Sequence, residues 1–568
     1  MWRRVVARKR PLEWAAVVVA LFIVFVGLYR SYPHPWNARP TFVSPRQQVT
    51  YELSKQWSES GKPTLTEPLL VELDDDIAAA LVPRDGSAYG DEIVPKDFPI
   101  TVAIYALAHE VGSRFVPLVS PALACVALLC FALTALRVTG SKRATWIATA
   151  LLASTTAFWI SSAALVAGDA AGLAGMMLAI GGLVRIADQQ PGTSRRDAGT
   201  PDRGGWWAVV AGLGFAVAIA SRYTLVGPVV MILGTFAIRH RGAWRRFALA
   251  GAATVIACTP VFVYHNWLYG GPLQTAYGIS DKTLKERVRF EGRGLTTINV
   301  GRIIDHVRIY LTRPEIAALW IAACVAIALL LLRKAGRAGG TLTTLAWATP
   351  LVTVPLVLYH GGQGLWGSVA FATNSSFLRY LIPVFALWCL LAAWLLDKLA
   401  ARSAVWRDRA IAIAAVIALL ALRTSFTGAG GVEDLRVGVP AQAGQAQVVF
   451  DHTPSDALVI TRTGSKALWP DRRTLNATLL YDGPPITDEK ILVWDVVPSP
   501  ERLADVAGRL VTGGHDVFVY DDGPGEGWLT DADIGELRHG LQAFGLDLVD
   551  TLPERETSPL YHVVLAAS

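Results

Sequence analysis

Three charged residues sit where an apolar chain rarely places charge. Asp169 opens the apolar stretch 169–187, Arg222 falls in the short break between stretches 206–221 and 224–239, and Arg379 precedes Tyr380 just inside stretch 377–397. An ionised side chain at such a place is costly unless it has a partner or a task. A carboxylate can take the proton of an attacking hydroxyl. Guanidinium forks match phosphate oxygens and stabilise a departing phosphate. The plainer readings are an acid facing the dipole of its own helix and arginines that snorkel to an interface. More acids lie in the polar stretch 31–113: Asp74-Asp75-Asp76, Asp85, Asp91-Glu92 and Asp97. Consecutive aspartates admit a divalent cation, but no cofactor and no metal ligand set follows from them. His265 and His306 stand alone in the sequence, where a structural role is the simpler reading.

The elements that would position these residues are membrane spans. The chain has 568 residues, 52% hydrophobic and 17% charged, with a mean hydropathy of +0.39. Soluble domains carry about 25% charge. The apolar residues come in blocks long enough to cross a bilayer core, at 12–30, 114–137, 144–165, 169–187, 206–221, 224–239, 246–267, 314–333, 342–359, 377–397 and 409–424. The first follows a basic start and lacks a small-x-small cleavage site, so it reads as a retained anchor.

Lys and Arg recur in alternate loops: Arg3-Arg4 and Arg8-Lys9-Arg10, then Arg137/Lys142/Arg143, Arg185/Arg195/Arg196/Arg203, Arg239/Arg241/Arg245/Arg246, Arg333/Lys334/Arg337 and Lys398/Arg402/Arg407/Arg409. The positive-inside rule then predicts the N-terminus in and the C-terminus out. The net charge of +6 follows from that topology and does not point to nucleic acid. All five cysteines lie within apolar blocks, so no disulfide framework or zinc site is implied.

The sequence thus predicts a polytopic α-helical membrane protein with about eleven spans. A transmembrane unit covers 1–425, with outer segments 31–113 and 268–313, and an extracytoplasmic α/β domain covers 426–568. Within 31–113, Gln47 to Ser58 and Ile100 to Val111 have amphipathic spacing that suits interfacial helices. In the C-terminal part, Ala457 to Thr461 and Asp516 to Tyr520 read as strands. Pro500 to Val511 and Asp531 to Phe544 read as helices.

Several blocks together resemble a family. Tyr51-Glu52-Leu53 with Trp57 and Gly61, Pro95-Lys96-Asp97-Phe98-Pro99, Ser120-Pro121-Ala122-Leu123, Asp169, Asn266-Trp267-Leu268-Tyr269-Gly270-Gly271-Pro272 and Arg379-Tyr380-Leu381-Ile382-Pro383 are similar, in order, to blocks of the polyprenyl-phosphate-dependent glycosyltransferases of the C-type fold. That group includes protein O-mannosyltransferases and aminoarabinose transferases. The resemblance implies a membrane enzyme that moves a sugar from a polyprenyl-phosphate donor to a hydroxyl of a cell-envelope glycan, lipid or protein, with inversion, outside the cytoplasmic membrane. It implies phosphate or substrate binding by Lys96, Arg379, Tyr380, Asn266 and Tyr269, with Asp169 as the family's recurrent acid; Arg222, from its short outer turn, is a further phosphate candidate, and Asp91 and Glu92, shortly before Lys96, are further candidates for the base. One departure stands out. The family places acids just before the Tyr block, and this chain has Gln47-Gln48. An amide is no general base, so the base comes from elsewhere or the chain is an inactive scaffold or sugar-lipid binding protein. A transporter is the remaining alternative, against which stands the lack of paired broken helices.

Overall fold

The computed structural model describes residues 17, 19–24, 42, 44–83, 86–163, 167–189, 204–276, 300–332, 340–362, 376–428, 431–462, 464–483, 497–522, 528–552 and 558–566. Most of the first expected span, Asp85 and the centre of segment 268–313 lie outside these residues.

The first polar stretch is structured. Helix α1 (Pro45–Ser60) opens on a capping box, in which Ser44 and Gln47 satisfy each other's backbone N–H groups, and ends at Gly61 with φ +79°. Such a reciprocal cap satisfies two donors that a helix start leaves orphaned. Strand β1 (Leu65–Thr66) and short helices α2 (Leu69–Glu72) and α3 (Asp75–Leu81) follow. Strands β2 (Gly86–Tyr89) and β3 (Glu92–Pro95) complete an antiparallel sheet of order β1-β3-β2. Helix α4 (Pro99–Val111) packs against α1. Both amphipathic segments expected there are helices, and the hairpin between them was not foreseen.

The apolar blocks then form α5 (Val119–Thr139), α6 (Lys142–Ser154), α7 (Thr156–Ala163), α8 (Ala167–Asp188), α9 (Gly204–Ser221), α10 (Val226–Arg239) and α11 (Trp244–Tyr269). After α12 (Val300–His306) come α13 (Pro314–Leu332), α14 (Thr341–Gly362), α15 (Ser376–Tyr380), α16 (Ile382–Ala400) and α17 (Ala404–Thr427). Among the described residues eight helices are long and apolar enough to cross a membrane, nine if α6 and α7, bent by 67°, form one span. The expected span 224–239 is the 14-residue α10 behind a 3-10 turn, too short to count among them, because the chain breaks at Arg222.

Helix α16 is the bundle's axis: 83% of its apolar window is buried, as befits a helix that is hydrophobic all round. Helices α8 and α9 cross at Gly175 and Gly214. A Cβ on Gly175 would meet the Gly214 carbonyl at 2.5 Å, so only glycine permits the approach. At one end of the bundle Arg137 pairs with Asp188 (2.9 Å), Arg143 with Asp397 (2.7 Å) and His240 with Thr344 (2.9 Å). These contacts gather the basic loops at a single end. Asp169, Arg222 and Arg379 meet at the other.

Helix α18 (Val432–His452) leads into a five-stranded mixed sheet of order β5-β4-β6-β8-β7. Its strands are β4 (Leu458–Thr461), β5 (Arg473–Asn476), β6 (Val517–Tyr520), β7 (Leu546–Asp550) and β8 (Leu560–Leu565). After α19 (Ser465–Leu468), helices α20 (Pro500–Thr512) and α21 (Asp531–Gln542) accompany the strands. The α/β expectation holds. The sheet's core is continuous with the first polar stretch: Val49, Leu53, Leu69, Ile77, Leu81 and Ile93 share a cluster with Leu458, Ile460, Leu475 and Val519. Charges rim the junction. Arg473 meets Glu67 at 3.1 Å, Arg509 meets Asp74 at 2.6 Å, and Arg502 meets Asp76. Each such exposed pair contributes little alone; the shared apolar core carries the docking.

Candidate active site

The site is built where α1, α4, α8, the α9–α10 turn and α15 converge. Arg222 caps the 3-10 turn Tyr223–Leu225, and its backbone N–H is held at 3.1 Å by both the Ala218 and Ile219 carbonyls. That anchorage aims its guanidinium at the first turn of α8, where Nε and Nη2 both reach Oδ1 of Asp169. The Asp169 side chain is 0% exposed and that of Arg222 8%. Arg379 Nη1 lies 4.0 Å from Oδ2 of the same carboxylate. Tyr380, next in the chain, places its ring centroid 4.1 Å from the Arg222 Cζ.

A second ion cluster adjoins the first. Asp97 accepts a hydrogen bond from the Thr50 hydroxyl of α1 at 3.0 Å and from the Phe98 N–H at 2.8 Å. Arg46 Nε stands 3.8 Å from its Oδ1. The Phe98 ring lies 5.7 Å from the Arg46 guanidinium and 5.9 Å from that of Arg222, so one aromatic joins the two clusters. Among the described residues three guanidinia thus gather around two carboxylates. Buried ion pairs rarely stabilise a fold over apolar replacements, and clusters of this kind concentrate at functional sites.

Of the residues singled out in the sequence, Asp169, Arg222, Arg379 and Tyr380 are in direct contact. Lys96 is half-buried between Pro95 and Asp97. Tyr269 donates a hydrogen bond to the Pro95 carbonyl at 2.8 Å, which steadies that turn. Gly270 follows with φ +75°, and a Cβ there would meet the Tyr89 hydroxyl at 2.6 Å. Asn266 is exposed on α11. Asp91 is exposed in the β2–β3 turn, and Glu92 is held by Lys62 at 2.5 Å and Thr64 at 3.1 Å. Neither acid joins the cluster. His265 bonds the Tyr223 hydroxyl, and His306 bonds the Arg302 carbonyl at 2.9 Å. Asp74 and Asp76 are taken up by arginines. Among the described residues no group of three His, Cys, Asp or Glu side chains is placed to hold a metal.

Sequence reasoning gave no site role to Arg46, Thr50 or Phe98 and did not separate Asp97 from the other loop acids. A usable signal was present: Arg46 and Thr50 are four apart, hence on one face of α1, and Asp97 follows Lys96 directly. The two glutamines have structural tasks. Gln47 closes the capping box. Gln48 donates from Nε2 to the Trp469 carbonyl of the C-terminal unit, which a carboxylate cannot do. On the same face, Glu52 is half-buried, and its carboxyl is pushed up to about 7 by burial, with Asp471 and Glu59 adding to the rise and Lys55 opposing it. Across α1, His109 lies under the Tyr51 ring at 4.7 Å and is pushed down to about 4 by burial and by Lys55.

No protein-family model matches the chain, and neither does any curated protein sequence. Among solved structures it is similar to ArnT from Cupriavidus metallidurans bound to undecaprenyl phosphate, with a TM-score of 0.57 at 13% identity over 99% of this chain and 100% of that one. The apo form of the same protein gives 0.53 at 14% identity over 98% of this chain and 100% of that one. The chain is a polytopic α-helical membrane protein with the fold of ArnT along nearly its whole length.

Proposed function

We infer that the chain is a glycosyltransferase that uses a polyprenyl-phosphate sugar and acts at the extracytoplasmic end of its helix bundle. The observation that carries this reading is the convergence of three guanidinia, Arg46, Arg222 and Arg379, at Asp97 and Asp169. It lies in a fold that is similar to a solved structure bound to undecaprenyl phosphate. Gathered guanidinia suit a phosphate group, and preformed donors stabilise the charge that develops as the phosphate departs.

In the reaction an acceptor hydroxyl attacks the anomeric carbon. The new C–O bond forms as the bond to phosphate breaks, with inversion at the carbon. Polyprenyl phosphate leaves with the bonding pair on its phosphate oxygen, and the hydroxyl proton passes to a carboxylate. Asp97 and Asp169 are the carboxylates of the cluster. Asp169 orients two guanidinia, while Asp97 is oriented by Thr50 and the start of α4. Lys96 beside it adds a cation for the phosphate. An apolar groove of about 340 Å³ beside Tyr223, lined by Ile219, Val226, Cys258, Phe262 and Leu273, suits an isoprenoid chain. The sugar is a hexose or a pentose, and the acceptor is a cell-envelope glycan, lipid or protein.

The inactive-scaffold alternative rests on Gln47-Gln48, whose amides cap α1 and bond the Trp469 carbonyl; donor binding without turnover in the wild type would favour it. The test is a titration of purified protein with polyprenyl-phosphate donor, alongside Lys96→Ala, Arg222→Ala and Arg379→Ala. Each lost charge-assisted bond is expected to weaken binding by about 1.5–3 kcal/mol. Unaltered affinity and turnover in all three variants refute the phosphate assignment.

A further inference from the structure

His360, near the C-terminus of α14, is 5% exposed, and neither ring nitrogen has a hydrogen-bond partner among the described residues. Its ring meets that of Tyr359 edge to face at 4.9 Å and lies 4.3 Å from the ring of Tyr380. Tyr380 in turn lies against Arg222. The imidazole is therefore one aromatic ring removed from the Arg222–Asp169 pair. A second buried orphan flanks the same pair: the Thr101 hydroxyl, which makes no hydrogen bond among the described residues and lies 3.0 Å from where a Cβ on Gly168 would stand. Buried polar groups are nearly always satisfied, so unsatisfied ones call for an explanation. As a packing residue, His360 would bury two polar atoms at a cost that a phenyl ring of similar shape avoids.

We propose that His360 is a positioning residue whose ring nitrogen hydrogen-bonds the anionic headgroup held at the Arg222–Asp169–Arg379 cluster. This rests on the reading of that cluster as a phosphate site. Two guanidinia supply charge, with the Arg222 fork tied to Asp169, and charge alone does not fix the rotation of a tetrahedral anion. A ring nitrogen at the edge of Tyr380 adds a directed bond from a different helix. The Thr101 hydroxyl offers one from the opposite side, at the start of α4. Together they define the orientation in which the headgroup presents its leaving oxygen.

The test uses the purified full chain in detergent with undecaprenyl phosphate as probe and undecaprenol as the uncharged control. Wild type is expected to bind the phosphate and not the alcohol. His360→Phe keeps the ring and removes the nitrogens. It should weaken binding about 10- to 100-fold, the value of a hydrogen bond to a charged group, while the ligand-free melting temperature holds or rises. His360→Gln, which regains a donor and an acceptor, should recover most of the affinity. Wild-type affinity in His360→Phe overturns the proposal, as does a loss in His360→Gln equal to that in His360→Phe. Should both variants fail to fold, deuterium exchange at the imidazole C2 of the unmodified chain decides. Slowing at His360 on adding undecaprenyl phosphate is expected, and an unchanged rate refutes the contact. A wild type that ignores undecaprenyl phosphate overturns the phosphate-site reading itself, and the inference falls with it.

Discussion

Replacing Asp169 with Leu and Arg222 with Met, singly and together, separates the stability of the buried pair from its use. The Asp169 side chain has no exposed surface and Arg222 retains 8%, so neither charge can turn to solvent when its partner goes. Breaking such a pair costs about 3–5 kcal/mol, whereas replacing both members with apolar side chains is near neutral. Arg379, 4.0 Å away with 17% of its side chain exposed, loses a counter-ion whenever Asp169 is removed. That places Asp169→Leu near the top of the range and Arg222→Met near the bottom, about 5 and about 3 kcal/mol. If the two losses were additive, the double variant would lose about 8 kcal/mol. With coupling it loses about 1–2 kcal/mol, the residue being the partly solvated Arg379. The assay is reversible unfolding in mixed micelles titrated with dodecyl sulfate and followed by tryptophan fluorescence. A double variant that loses the sum, or single variants that lose less than about 1 kcal/mol, refutes the buried-pair argument. The double variant is also expected to fold and yet bind no polyprenyl phosphate.

Four further outcomes follow from the same structure. Gln48→Glu removes the donor to the Trp469 carbonyl and sets a carboxylate against it, at a cost of about 1–3 kcal/mol; hydrogen exchange at 469–476 should accelerate, and unchanged protection refutes the docking role. Glu52 has a folded-state pKa of about 7 against an ordinary 4.5, so the folded state holds the extra proton between those values and stability falls as pH rises from 4.5 through 7. Glu52→Gln should abolish that fall in denaturation series run from pH 5 to 8. His109, at about 4 against 6.5, acts with the opposite sign, losing stability as pH drops from 6.5 toward 4, and His109→Gln should remove that part. For topology, cysteines at the exposed positions Glu72 and Gln542 should react with an impermeant maleimide in intact cells, and one at Arg241 only after permeabilisation; the reverse pattern overturns the inside–outside assignment.

The sequence alone determined the spans, because lipid-crossing length and hydropathy are local properties. Each described apolar block is a helix near its expected limits, and the failures are local too: the bend between α6 and α7 and the short α10. The amphipathic periods at 47–58 and 100–111, and the short apolar runs at 457–461 and 516–520, also became the expected helices and strands. Asp169, Arg222, Arg379 and Tyr380 were legible for the same reason, since an ionised group at the edge of an apolar run is conspicuous by its solvation cost. The residues in polar stretches were different. Asp74, Asp76 and Glu92 look alike as acids of one polar stretch, and only the tertiary fold sends the first two to Arg509 and Arg502 and the third to Lys62. The meaning of Gln48 depended on a carbonyl 421 positions away. His360 carries no distinguishing signal in the sequence; α15 brings Tyr380 against it. Solvation cost is paid residue by residue and can be read along a chain, whereas the partner that offsets it is chosen by the packing of distant elements.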